Sequence, residues 1–207
     1  MNRTKIEWVK NPDGTQGYTW NPITGCLNHV KGMCKGGGFP CYAYRLAHGR
    51  LKNVYLANVG LPELYGTKCV FDRADTEAAY DEHIADPFYP RFWPEKMWLH
   101  QLVGSKRKPK GIFVCDMSDL FGIGVPEEWT RRVLGVIRKH PRHRFYLLTK
   151  QPQNLSQWSP FPDNVYLGVT VCNQAMFDKA VYYLKMVEAR VKFLSMEPML
   201  GRITIES

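Results

Sequence analysis

The sequence lacks several things, and each absence narrows it. Its 207 residues contain no run approaching the roughly 18 apolar residues that span a bilayer. The opening MNRTKIEWVK has no apolar core of the kind a secretory leader carries. No low-complexity tract, sequence repeat or clear linker interrupts the chain, so a single domain over 1–207 is expected. Acidic residues are few: 19 Asp and Glu stand against 28 Lys and Arg, for a formal net charge of +9. With 44% hydrophobic and 23% charged residues, the composition is that of a globular protein and excludes a disordered tail. Together these features predict a soluble cytoplasmic protein with no membrane partner.

The basic balance makes nucleic acid the first anionic partner to consider. The densest basic runs, KRKPK (106–110) and RKHPRHR (138–144), fall at connections entering strands. A solvated connection explains each of them as well as a phosphate contact does.

The second half, 111–207, reads as βα repeats. GIFVCDM (111–117), RFYLLT (144–149), VYLGVTV (165–171) and VKFLSM (191–196) are short apolar runs rich in β-branched and aromatic residues, hence buried strands. VPEEWTRRVLGVIRKHP predicts a helix with Pro126 at its first position and acidic and basic residues at the matching ends. Trp129, Val133, Val136 and Ile137 form its apolar stripe. KQPQNLSQW predicts a loop and short helix. Asn173 suits the cap of a further helix with Met176, Ala180, Tyr183, Leu184 and Val187 on one face. Strands alternating with helices predict a parallel sheet covered on both faces, either doubly wound or part of a (β/α) barrel.

The first half is less regular. YTWNPITG predicts a short strand, CYAYRLAHGR a helix start, KCVFDR a strand and FYPRFWPEKMWLHQLV a helix from Pro94.

In such folds the chemistry lies at the C-terminal ends of the strands. That rule selects Asp116, Ser118 and Asp119 after one strand, Thr149, Lys150 and Gln151 after the next, then Thr170 and Asn173, then Ser195 and Glu197. If the strands are parallel, these groups converge on one face; otherwise they cap turns.

Cysteine is the other uneven feature. Cys69, Cys115 and Cys172 lie in strand-like runs and read as buried free thiols, whereas Cys26, Cys34 and Cys41 crowd a polar, glycine-rich segment. Cytosolic conditions disfavour disulfides, and clustered thiolates suit zinc or iron–sulfur. The spacing is Cys-x7-Cys-x6-Cys. Zinc would need a fourth ligand, with His29 and His48 nearby, although the helix after Cys41 should carry His48 away. A [4Fe–4S] cubane needs only three thiolates and leaves one iron open. Gly36, Gly37 and Gly38 would let backbone approach the cluster, and Tyr42 would shield it. Structural cysteines without metal are the third alternative.

The string TWNPITGC, two further cysteines with CYA, then MSDLFG, LLTKQP, GVTV and SMEPMLG resembles the phage-associated three-Cys-motif family, a domain of unknown function found in phages and bacteria. The likeness runs from Trp20 to Gly201. That family is similar to radical S-adenosylmethionine (SAM) enzymes. The resemblance implies a partial (β/α) barrel with a cysteine-rich, cluster-binding stretch at 20–49. Cys26, Cys34 and Cys41 would hold a [4Fe–4S] cluster, and SAM would occupy the open iron and be cleaved to methionine and a 5′-deoxyadenosyl radical. By position, Asp116, Ser118 or Asp119 would accept from the SAM ammonium, Lys150 would meet a carboxylate or phosphate, and Glu197 would hold a ribose hydroxyl. The cysteine spacing here is longer than the usual radical SAM pattern, with GGGFP as an insertion. Family members continue past the EPxLG element, so the resemblance implies a barrel truncated here or completed by a partner chain.

The expected function is therefore a phage- or mobile-element-encoded iron–sulfur protein of radical SAM type in a bacterial host cell, acting on an unidentified substrate, with nucleic acid or a nucleotide as the leading candidate. The alternatives are a zinc-stabilised, non-enzymatic nucleic-acid-binding protein and an inactive half barrel kept for protein association.

Overall fold

Apolar side chains alternate in and out along the four strands of the second half, and the two faces they create are covered by different parts of the chain. The computed structural model describes residues 1–58, 60, 61, 85–98 and 108–205. Its main sheet has six strands: β1 (Asn2–Arg3), β2 (Tyr18–Trp20), β7 (Gly111–Val114), β8 (Arg144–Thr149), β9 (Val165–Thr170) and β10 (Val191–Ser195), in that spatial order. Only β1 is antiparallel to its neighbour; β2 to β10 run parallel. Two small antiparallel pairs join β3 (Ile23–Thr24) with β6 (Arg91–Phe92), and β4 (His29–Val30) with β5 (Met33–Cys34). The parallel strands lie side by side in chain order, without the reversal of a doubly wound sheet. The sheet stays open and does not close into a barrel.

Helices α1 (Tyr42–His48) and α2 (Lys52–Leu56) follow the cysteine segment; α3 (Glu127–Arg138) and α4 (Gln174–Lys185) are the crossovers. One sheet face, carrying Trp20, Ile112, Val114, Phe145, Leu147, Val165 and Leu167, packs on Trp129, Val133 and Ile137 of α3 and Ala180 and Leu184 of α4. Burial of each large apolar side chain contributes about 1.5–3 kcal/mol. No helix among the described residues covers the opposite face, unlike the expectation for a doubly wound sheet. There Phe113, Tyr146, Leu148, Tyr166 and Phe193 meet Ile6, Trp8 and Val9 of the N-terminal segment. Gly168 has a packing reason: a β-carbon on it would enter the Phe193 ring.

Several elements differ from expectation for local reasons. The first strand of the second half ends at Val114 because Cys115 takes a left-handed backbone, φ 59°, which turns the chain across the sheet end. Pro126 is the N-cap of α3 and not its first helical residue. The expected helix from Pro94 is a single 3-10 turn, Pro94–Met97, and the rest of that stretch, 99–103, lies outside the described residues. The indole Nε1 of Trp20 donates to the Lys96 carbonyl at 2.7 Å, engaging an acceptor that a continuing helix would use. The short helix expected after Lys150 is two 3-10 turns, Pro152–Asn154 and Ser156–Trp158. Asn173 caps α4 as expected, its side-chain oxygen accepting from Met176 N at 3.0 Å. The strand expected over 68–73, with Cys69, lies outside the described residues. No helix among the described residues is long and apolar enough to cross a membrane.

Candidate metal and cofactor site

The loop carrying the three cysteines is folded by backbone geometry. Gly25 sits at φ +86°, and a β-carbon there would meet the carbonyl oxygens of Phe88 and Tyr89. Its own carbonyl accepts from Ser118 Oγ at 2.5 Å, and Cys26 N donates to Phe88 O at 3.0 Å. This close threading fixes Cys26 beside the end of β7. The chain then forms the β4–β5 hairpin, where Lys31 and Gly32 both take positive φ (45° and 81°). Two such residues make the tight turn whose twist matches a hairpin. The turn brings Cys34 back opposite His29. Cys34 N donates to Phe39 O at 2.9 Å, and Cys41 N donates to Gly32 O at 2.8 Å, so the GGGFP stretch is a second tight return. Cys41 then caps α1. The long spacing is thus absorbed by two nested turns that bring the three thiols to one cavity.

That cavity, of about 590 Å³, lies at the C-terminal ends of the parallel strands. Cys26, Cys34, Cys41, Asp116, Ser118, Asp119, Lys150 and Glu197 all line it. Thr170 and Ser195, the corresponding ends of β9 and β10, line it as well. Thr149, Gln151 and Asn173 do not; they are spent on the frame.

The acidic groups divide by their partners. Asp119 is buried, and its carboxylate accepts from Phe121 N (3.1 Å), Thr149 Oγ1 (2.9 Å) and Lys150 N (3.0 Å). It ties the end of β7 to the end of β8. Ser118 gives its hydroxyl proton to Gly25. Asp116 accepts at one oxygen from Asn21 Nδ2 at 2.6 Å, and no other side chain among the described residues donates to it. Burial pushes the Asp116 carboxyl above its usual range, opposed by the Asn21 hydrogen bond. Glu197 is exposed at the cavity mouth.

Burial holds the Cys26 and Cys34 thiols protonated. Burial pushes Cys26 up to about 12, with the negative charge of Asp119 and the two other thiols adding to it. Burial also raises Cys34, while the Lys150 ammonium pulls it back. Lys150 has no carboxylate partner among the described residues, and its Nζ lies 5.8 Å from the Phe39 ring centre. A metal at these sulfurs would have to displace their protons.

No three His, Cys, Asp or Glu side chains among the described residues converge as one metal ion requires. A single zinc draws its sulfurs to about 2.3 Å from one point. A cubane takes each thiolate at a different iron, so it asks only that three sulfurs face one volume. His48 is engaged elsewhere: it stacks on Tyr44 at 3.9 Å and lies 3.5 Å from Asp86. His29 lines the cavity and accepts from Gly32 N at 3.3 Å. Cys115 and Cys172 are buried free thiols, as expected.

Sequence reasoning missed Asn21, which anchors Asp116, and Thr4, Ile6 and Trp8, which line the cavity from the N-terminal segment. Asn21 follows β2 directly, so the strand-end rule applied to TWNPITG would have selected it. Tyr42, expected as a cover, lines the cavity and donates its hydroxyl to the Asp116 carbonyl.

The chain is thus a mixed α/β protein whose open, mostly parallel sheet carries a thiol-bearing cavity at its strand ends. Residues 3–206 match a family described as proteins of unknown function, DUF5131, and the chain belongs to that family. No curated protein and no solved structure matches it.

Proposed function

We propose that this is an iron–sulfur protein of radical SAM type, with Cys26, Cys34 and Cys41 holding a [4Fe–4S] cluster. The observation that carries the reading is that the three thiols share one cavity with Asp116, Lys150 and Glu197 at the ends of parallel strands laid in chain order. That strand order is the one expected of a partial (β/α) barrel, and the resemblance to the phage-associated three-Cys-motif family points the same way. When bound and reduced, the cluster supplies one electron for cleavage of SAM.

The chain's own groups do the rest. Asp116 accepts a hydrogen bond from the SAM ammonium, its carboxylate held in place by Asn21. Asp119 and Ser118, spent on the frame, position that strand end. Lys150 meets the SAM carboxylate or a substrate anion. Glu197, at the mouth, holds a ribose hydroxyl. Trp8, Phe39 and Tyr42 wall the cavity and exclude water from the reacting region.

The test is anaerobic purification with iron and sulfide analysis, then EPR of the reduced protein with and without SAM. The expected result is about four irons per chain, lost when all three cysteines become alanine, and an EPR signal changed by SAM. Zinc in place of iron, or no metal, would overturn the reading.

A further inference from the structure

A second cavity lies at the opposite end of the sheet. It has a volume of about 250 Å³ and is lined by Arg138, Pro141, Pro162, Asp163, Asn164 and Arg190. These residues belong to the connections entering β8, β9 and β10, so the cavity faces away from the thiols. Strands of about six residues separate the two ends by roughly 20 Å.

Both arginines are exposed, and among the described residues neither has a hydrogen-bond or ion-pair partner. Each guanidinium therefore keeps its five donors. Asp163 is the one carboxylate in the lining, and it stands beyond ion-pair distance of both arginines. Asn164 is not available, since its amide donates to the Ile137 and His140 carbonyls at 3.1 and 3.0 Å. It fixes the cavity wall and leaves the arginines as its only open donors. Lys108, Lys139 and Arg142 are exposed at the same end of the sheet. Two exposed guanidinium groups on one cavity, inside a basic strip, offer the forked donors that suit phosphate oxygens. The proline rings offer bases no hydrogen bonds.

The geometry points to this end of the sheet as a docking surface for the phosphate backbone of a nucleic acid, with Arg138 and Arg190 gripping one phosphate. Binding there is backbone-directed and indifferent to sequence. The surface is separate from the thiol cavity and does not depend on a cluster being present.

The experiment is fluorescence anisotropy of labelled single-stranded DNA and RNA with the full chain, across a salt series. An Arg138→Ala/Arg190→Ala variant should reduce the slope of log affinity against log salt by about 0.7, the value for one phosphate of a single strand, and a Lys31→Ala/Lys35→Ala variant on the thiol-side hairpin should leave it unchanged. Thermal midpoint and far-ultraviolet dichroism report that both variants are folded. No oligonucleotide binding, binding lost in the lysine pair but kept in the arginine pair, or arginine-dependent binding to anionic vesicles alone would overturn the proposal. A chain that binds no iron yet shows the arginine-dependent slope would sink the cluster reading and leave this one standing.

Discussion

Asp119 accepts three hydrogen bonds from its own chain, while Asp116, three residues earlier, accepts one and faces the cavity. Substitution separates the two roles. Asp119→Ala leaves two backbone N–H groups and a threonine hydroxyl without their acceptor in a buried corner, which costs about 3 kcal/mol; urea denaturation reads this as a lower midpoint at unchanged slope. Asp116→Asn has the opposite tendency. Burial raises the Asp116 carboxyl above its unfolded value, so its contribution to stability is full below the unfolded pKa and is lost as pH rises through the folded one. Removing the charge removes that loss. The variant's thermal midpoint should match wild type near pH 3, below the ordinary carboxylate range, and exceed it near pH 8. SAM affinity, by equilibrium dialysis, should fall in the same variant. A variant less stable than wild type at the higher pH would show that the charged form is favoured in the fold.

At the scale of elements, what could be read in advance was what local periodicity encodes. β7 to β10, α3 and α4 stood out because each buries a continuous run or a clean stripe, and strand-end polar residues then followed from parallel direction alone. Strand order was not legible, because adjacency is a long-range pairing that periodicity does not carry. The β4–β5 hairpin was missed because His29–Val30 and Met33–Cys34 are too short and half-exposed to alternate, although Lys31–Gly32 is its turn signal. That hairpin supplies the next prediction. At Gly32 a β-carbon would meet the Tyr44 ring at positive φ, and the Gly32 carbonyl holds Cys41 N. Gly32→Val therefore strains the turn by roughly 1–2 kcal/mol and displaces two of the three thiols together. Iron per chain should fall while the far-ultraviolet dichroism of the sheet persists. Full iron loading in this variant would mean that the hairpin does not position the sulfurs.

For the whole molecule, the question is how an open sheet protects the face a closed barrel would hide. Here the N-terminal segment performs that task. Trp8 packs on Phe113, Tyr146 and Phe193 with ring centres 4.9, 5.6 and 5.5 Å away, spanning β7, β8 and β10. The segment is anchored at both ends: β1 pairs with β2, and Asn11 accepts from Gly111 N at 2.8 Å. The chain thus covers this face with its own N-terminal residues. Trp8→Ala should cost about 2 kcal/mol, below the range for a fully buried tryptophan because Trp8 is only half-buried. It should also admit a hydrophobic dye to the exposed aromatic face. Trp8→Phe keeps a ring there and should recover most of the stability. Because Trp8 lines the thiol cavity as well, loss of the ring opens the site to water and oxygen, and the air-stability of bound iron should drop in Trp8→Ala but not in Trp8→Phe. Equal dye binding by wild type and Trp8→Ala would show that another part of the chain closes the face.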